Sequence, residues 1–558
     1  MTRRTFSKLS FADIQKINWA NADLIRDKGN GKNEDTPNIV FPLITLKRFM
    51  DLREEHKIKH LRQTEEYGFE NNNLEEYIKS MGFPDNRFKV IPGKEAWYDV
   101  EWEDILRFEN NKDGIEREIH LGHINEEDYS ERLIIKSSAK TQTDFLFEVI
   151  ESFDNAIIKE MLVEYNFENT FLKVIPPAYR KEVLDTFKDV KYYLEYADED
   201  VFGDVYMDIT GRFASLGGKK GGEFFTPTEL TKALVRMRNP QILDKKDYVL
   251  ADVTAGACTF MVYAAEHIRK EKGWTASEVN KYIRFVTQEK EKNSEIFGKL
   301  NLAFHGYNNH ISYHANTILD WKKDSKGNDA IGVWENKADC ILANPPYGLK
   351  DYGFEHAKSK EEYENRWQFG LPAKGEGEYA FLVSILNLLN EKGEAVVILP
   401  LGTQFKDSTK NIRKRLIEDG VVEAIVNLPA NMFLTTGIPV CAWFLKKGRT
   451  QEDIDSGVYM MDASECFIKE GKNNKFAGED AEVAIKTFIE RKVIDGFSKI
   501  VSLDILKESE YNLSVTRYIF KEEEREHIDI ESLNNDIDLD YQKLINTNSL
   551  FNHIFKGA

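Results

Sequence analysis

The residues best suited to chemistry are Asn344-Pro345-Pro346-Tyr347, which follow the apolar run Ile341-Leu342-Ala343. Two successive prolines remove two backbone donors and fix φ, and they hold the residue before them extended. Such a loop presents carbonyl oxygens in a rigid frame. An amino group conjugated to an aromatic ring is a poor nucleophile, because its lone pair is delocalised into the ring. The Asn344 side-chain oxygen and the Pro345 backbone oxygen suit such an NH2 as paired acceptors. They would hold it pyramidal with its lone pair aimed at an electrophile, which is catalysis by orientation. Tyr347 would then stack on the ring. The plainer alternative is a turn whose prolines merely end a strand.

Three further stretches accompany it. Residues 251–260 (ADVTAGACTF) follow an apolar run and open a helix. Small residues there let a ligand come close to the backbone at a helix N-terminus, where an anion is favoured. The turn is not GxGxxG, so a dinucleotide reading is weak, and a tight strand-to-helix turn is the simple alternative. Glu289 ends the next strand, where a carboxylate can accept both hydroxyls of a ribose; a lone acid there is otherwise simply solvated. After the following strand, Asn316 offers an amide suited to an adenine edge. Upstream, Gly222-Glu223-Phe224-Phe225-Thr226-Pro227 set two aromatics before a helix that begins at Thr228, as a lid over a flat cofactor or as a hydrophobic staple.

These groups need a scaffold that brings them together. Up to about residue 170 the periodicity is mainly helical, with a polar, irregular stretch over 85–135. From about Lys245, apolar runs at 248–253, 285–289, 339–343, 395–400 and 422–428 alternate with helical stretches at 260–270, 378–390 and 410–419. That alternation predicts a parallel sheet covered on both faces. A later run, 440–445, reads as an antiparallel strand added at the end. Beyond about 455 the pattern is mixed and closes on an amphipathic tail. The expected organisation is a helical domain over 1–175, an α/β catalytic domain of Rossmann-like type over 176–455, and a mixed or helical C-terminal region over 456–558.

The 558 residues suit two to four domains. No apolar run approaches the ~20 residues needed to span a bilayer, and the first residues lack the apolar stretch of a signal peptide. The four cysteines, Cys258, Cys340, Cys441 and Cys466, are scattered without a CxxC pair. Free thiols in the cytoplasm are expected, and no metal site. Lys and Arg number 76 against 95 Asp and Glu, a net charge of −19. A protein that gripped nucleic acid alone would usually carry a basic face. A partner, or a local patch such as the basic segment before about His60, would have to supply that grip.

The order GEFFTP, DVTAG, acidic strand end and NPPY resembles the amino-methyltransferases of DNA. More closely, it is similar to the modification (M) subunit of Type I restriction–modification systems. Matching pieces run along the chain: WANADL at 19–24, PLITLKR at 42–48, DVFGDVYM at 200–207, NLAFHG at 301–306 and EYAF at 378–381. ILPLG at 398–402, LPANMF at 428–433 and YNLSVTRY at 511–518 complete the set. The likeness spans about residues 10 to 520, poorly over 60–140.

The resemblance implies S-adenosylmethionine as cofactor and the N6 amino group of adenine in duplex DNA as acceptor. The base would be flipped from the stack at a cost of a few kcal/mol. It implies a complex of two M subunits with one specificity (S) subunit, joined in some systems by a restriction (R) subunit. By matching position, Asn344, Pro345, Pro346 and Tyr347 would hold the base, and Phe433 would form another wall. Gly222 to Pro227, Asp252, Thr254, Ala255, Gly256, Glu289 and Asn316 would hold the cofactor. One departure stands out. The family turn reads DPxxGSGxF, whereas Val253 replaces its proline, Ala257 its serine and Cys258 its second glycine, which predicts weaker cofactor binding. Two other readings remain: a methyltransferase for a protein or RNA amino group, and a non-catalytic scaffold of methyltransferase fold.

Overall fold

The computed structural model describes residues 11–30, 35–67, 90–94, 96–97, 100–121, 134–188, 226–240, 242, 247–359, 365–433, 436–519 and 530–555. Gly222, Glu223, Phe224 and Phe225 lie outside the described residues, as does the segment 200–207.

The N-terminal part is helical, with α1 at Phe11–Lys28, α2 at Pro37–Tyr67, α3 at Gln142–Glu151, α4 at Ala156–Glu164, α5 at Phe167–Val174 and α6 at Pro177–Asp185. A two-stranded ribbon, Arg117–His120 against Ile134–Ser137, occupies part of the polar stretch. These helices share one core, built around Phe49, Phe145, Phe153, Phe167 and Phe171.

The remainder is organised by a nine-stranded sheet. Its strands are β1 (Tyr248–Asp252), β2 (Ile283–Glu289), β3 (His310–His314), β4 (Ala338–Ala343), β5 (Leu389–Pro400), β6 (Val422–Asn427), β7 (Val440–Lys446), β8 (Val458–Asp462) and β9 (Ser498–Val501). Their order across the sheet is β9-β8-β6-β7-β5-β4-β1-β2-β3. Strands β3, β2, β1, β4 and β5 are mutually parallel. Strand β7 is antiparallel as expected, but it is inserted between β5 and β6 rather than added outside them.

Helices α7 (Thr228–Arg238), α8 (Thr259–Lys272), α9 (Lys292–Phe304), α10 (Gly377–Leu388) and α11 (Lys410–Glu418) flank the sheet. Alternate residues of each strand serve opposite faces. Leu250, Leu342, Val396 and Ile398 pack with Leu234, Met261 and Ala265 of α7 and α8. Val249, Ile341, Ala395 and Val397 pack with Leu382, Val383 and Leu386 of α10. Each such buried Val, Leu, Ile or Met side chain contributes roughly 1.5–3 kcal/mol, so both faces hold the strand tips firmly.

The boundary expected at 455 falls inside this sheet. Strand β8 pairs in parallel with β6, and β9 pairs with β8. Residues 511–518 dock on the same body: the Leu513 N–H donates to the Gln404 carbonyl at 2.9 Å, and the Arg413 Nε–H donates to the Tyr511 carbonyl at 2.6 Å. The last helix, α13 (Ile530–Phe555), has its described side chains exposed; α12 (Glu479–Ile489) packs under the sheet through Ile485 and Phe488.

Candidate active site at the strand tips

The chain leaves β1 toward β2 on one side and returns from β3 to β4 on the other. Strands β1 and β4 are therefore neighbours, with Leu250 opposite Cys340 and Ala251 opposite Ile341. At such a switch point the two following loops diverge and leave a crevice at the carboxyl ends of the strands. The turn that begins at Asp252 and the loop that begins at Asn344 open on that crevice.

On the β4 side, Asn344 is buried and held by both ends of its amide. Its Nδ2 donates to the Thr226 hydroxyl at 3.1 Å, and its Oδ1 accepts the Tyr347 hydroxyl. The Thr226–Asn344 bond ties the end of the expected lid to the loop, while Pro227 starts α7. Pro345 is buried and Pro346 and Tyr347 are half-buried. The Tyr347 ring meets that of Phe433 edge-on, with centroids 6.2 Å apart at 84°. Asn344, Tyr347 and Phe433 thus converge, as the wall of a base pocket requires.

On the β1 side, the Asp252 carboxylate accepts the Thr254 N–H at 2.9 Å. Gly256 has φ +50, which glycine adopts at no steric cost. Cys258 also lies in the left-handed region, at φ +59, and caps α8 without any side-chain bond to its first turn. The leading N–H groups of α8 are therefore left for another acceptor. The Cys258 side chain is directed at Gly298 of α9: a Cβ on that glycine would lie 2.5 Å from the sulfur. The four cysteines are buried, and none forms a disulfide.

Glu289 is bound more tightly than its strand-end position implies. Its Oε2 accepts the Gly256 N–H at 2.9 Å, and its Oε1 accepts those of Lys290 and Glu291 at 2.8 and 2.9 Å. A carboxylate offers about four lone-pair sites, so one remains for a ribose hydroxyl. Asn316 is similarly engaged. Its Oδ1 accepts the N–H groups of Ile318 and Leu319 at 3.0 and 3.1 Å, which leaves the amide nitrogen as the group able to meet a base edge.

Burial pushes the Asp252 carboxyl up to about 8, with Glu289 adding to the rise and the Thr254 N–H opposing it. Burial likewise raises Glu289, against the pull of its three backbone donors. A cationic guest beside Asp252 would favour its ionised form and oppose this rise.

Several site residues carry no local sequence signal. Thr317 Oγ1 donates to the Val253 carbonyl at 2.5 Å and accepts Gln288 Nε2 at 2.9 Å, stitching the tips of β1, β2 and β3. Arg366, buried over the Trp321 ring at 4.0 Å, donates to the Thr317 and Ile318 carbonyls, each at 2.9 Å. Glu378 Oε1 accepts the Gly348 N–H at 2.7 Å, just past Tyr347. Of these only Glu378 is visible beforehand, as an acid opening an otherwise apolar helix.

The N-6 DNA Methylase family matches residues 197–527. The chain belongs to that family. It is similar to the Type I restriction enzyme MpnII methylase subunit of Mycoplasma pneumoniae, 29% identical over 357 residues, with 62% of each chain covered. The MjaVIII methylase subunit of Methanocaldococcus jannaschii is 30% identical over 340 residues, covering 60% of this chain and 56% of that one. The match thus spans less than two thirds of these relatives. In fold, the chain resembles the type I restriction-modification system methyltransferase subunit of Streptococcus thermophilus. The TM-score is 0.63 at 21% identity, with 92% of this chain and 100% of that one covered. Among the described residues, no helix is long and apolar enough to cross a membrane.

Proposed function

We propose that this N-6 DNA methylase family member transfers a methyl group from S-adenosylmethionine to the N6 amino group of a flipped adenine in duplex DNA. The observation that carries the reading is the adjacency of the Asp252 turn and the Asn344 loop at one switch point. One holds features suited to a cationic, carboxylate-bearing guest, and the other holds acceptors suited to a conjugated amino group. The residues fit the cofactor. The open N-terminus of α8 suits its carboxylate, Asp252 suits its positive charge, the remaining acceptor site of Glu289 suits a ribose hydroxyl, and Gly256 allows close approach. Bound there, S-adenosylmethionine supplies an electrophilic methyl group on a sulfonium.

The chain's own residues then orient and desolvate. The base amino group displaces the Tyr347 hydroxyl from Asn344 Oδ1 and donates to it and to the Pro345 carbonyl. Thr226 keeps the Asn344 amide from rotating, because it takes the other end. Tyr347 stacks on the ring, and Phe433, edge-on to Tyr347, forms another wall. The remaining site assignments, Thr254, Ala255, Pro346, Asn316 and residues 222–227, belong to the same proposal.

We assign the chain the role of modification subunit in a cytoplasmic Type I complex, two copies to one S subunit, with room for an R subunit. A net charge of −19 supports leaving sequence reading to a partner. So does α13, whose Ile537, Tyr541 and Leu544 form an exposed stripe at helical spacing, each about 60% exposed. The partner-binding region is thereby narrowed to the end of the chain, beyond the sheet. The test is transfer of labelled methyl to duplex DNA, RNA and protein with the S subunit present. Label in adenine of DNA is expected; label confined to RNA or protein, or none with cofactor unbound, would overturn the reading in favour of its alternatives.

A further inference from the structure

Helix α9 is gripped on two sides. One side faces the turn after β1. Gly298 makes room there for the Cys258 sulfur and lies against the Gly256 carbonyl, which a Cβ would approach to 2.9 Å. One helical turn on, Asn301 Nδ2 donates to the Ala257 carbonyl at 2.9 Å in a buried bond. The helix also begins directly after Glu289, whose carboxylate is oriented by the two N–H groups leading into it.

The other side faces the N-terminal helices. Glu160 of α4 receives Lys292 Nζ at 2.5 Å and Lys299 Nζ at 3.1 Å. Both lysines also reach Glu295, at 2.7 and 2.6 Å, and the Glu295 side chain is 1% exposed. Two ammoniums and two carboxylates thus balance across the joint. Without Glu160, the two lysines would share one buried acid. The apolar packing is continuous as well: Ile296, Phe297, Leu300 and Phe304 of α9 join the core of the N-terminal helices, and so does Ala257 of the turn. A shift of α4 relative to α9 therefore reaches the backbone of residues 256–258 through packed atoms.

We propose that Glu160 is a positioning residue for the cofactor site, through which docking of the N-terminal helices on α9 sets the geometry of the 256–258 turn and of Glu289. The proposal rests on the reading of that turn as the S-adenosylmethionine site. Coupling of this kind is reciprocal: the seated helices raise affinity for the cofactor, and bound cofactor secures the helices.

The test is calorimetric titration of the full chain with S-adenosylmethionine. Glu160→Gln should raise Kd about 5-fold or more, the lower end of usual site-to-site couplings, and Glu160→Asp should recover part of the loss. Glu482→Gln is the control. It breaks an exposed ion pair between α12 and Arg236 of α7 that involves no residue of α9, and should leave Kd unchanged. In the unaltered chain, hydrogen exchange should slow over residues 156–164 when cofactor is added, which decides the matter even where Glu160→Gln fails to fold. Normal binding by the unaltered chain, with an unchanged Kd in Glu160→Gln or with protection absent from 156–164, overturns this proposal alone. No binding by the unaltered chain overturns the cofactor reading and this proposal with it.

Discussion

The sulfur of Cys258 occupies the space that a side chain at Gly298 would need. A Cβ on Gly298 would stand 2.5 Å from Sγ and 2.9 Å from the Gly256 carbonyl. The resemblance implies a glycine where this cysteine stands, and the cysteine side chain is turned toward α9. Gly298→Ala should therefore destabilise the fold by about 1–3 kcal/mol, the usual cost of overpacking. Adding Cys258→Gly should restore part of the loss, since glycine accepts φ +59 freely, while the Gly256 carbonyl still obstructs. Thermal unfolding of the three proteins measures this; an unchanged midpoint in Gly298→Ala would refute the close approach.

Asn344 is placed to act on the acceptor rather than on the cofactor. Its amide is bonded to Thr226 and Tyr347, neither of which belongs to the Asp252 turn. Asn344→Ala should lower kcat by about 100-fold or more, as loss of a preorganised polar group does, with cofactor Kd changed less than about 2-fold. A parallel loss of both would show that the residue holds the site together instead.

The Asp252 carboxyl, raised to about 8 by burial with Glu289 adding to it, gives cofactor binding a pH dependence of known sign. The folded free chain holds a proton that the unfolded chain has lost, so its stability falls as pH rises from the usual carboxylate range to about 8. A cationic guest favours the ionised form. Below about pH 8 binding should therefore release a proton, and Kd should tighten with rising pH until the carboxyl is ionised in the free protein. Titrations in buffers of different ionisation enthalpy count that proton, and Asp252→Asn should abolish the dependence. A flat Kd between about pH 6 and about pH 9 would exclude it.

The central strands were legible because burial on both faces leaves continuous Val, Ile and Leu runs, as in β1 and β4. Strand β9 was not. At the sheet's edge its Lys499 and Ile500 face solvent, and the segment Ser498–Val501 has neither an apolar run nor a clean alternation. Strand β8 is as apolar and as long as β1, but it follows the antiparallel β7, which reads as the last strand, so the catalytic sheet was expected to end too early. Within the site, the Asn344 loop and the Gly256 turn declare themselves because proline fixes φ locally and glycine admits a positive one. Gln288, Thr317 and Arg366 act on partners dozens of residues away, and nothing in their immediate neighbours encodes that. The sequence also marks Glu289 as an acid at a strand tip, while its three backbone bonds depend on the path of the chain into α9.

Glu378 separates holding the loop from supplying a charge. The side chain is 3% exposed. One oxygen takes the Gly348 N–H at 2.7 Å, and the other has no hydrogen-bond partner among the described residues. Gly348, at φ +66, is where the chain turns away after Tyr347, so this bond sets the end of the segment whose start is Asn344. Displacing reacting groups by about 1 Å can cost about 100-fold in rate. Glu378→Ala should therefore reduce kcat by about 10- to 100-fold with little change in cofactor Kd. Glu378→Gln retains an acceptor for Gly348 and should keep most of the rate. Equal losses in the two variants would assign the effect to the carboxylate charge beside Tyr347 and remove the loop-holding role.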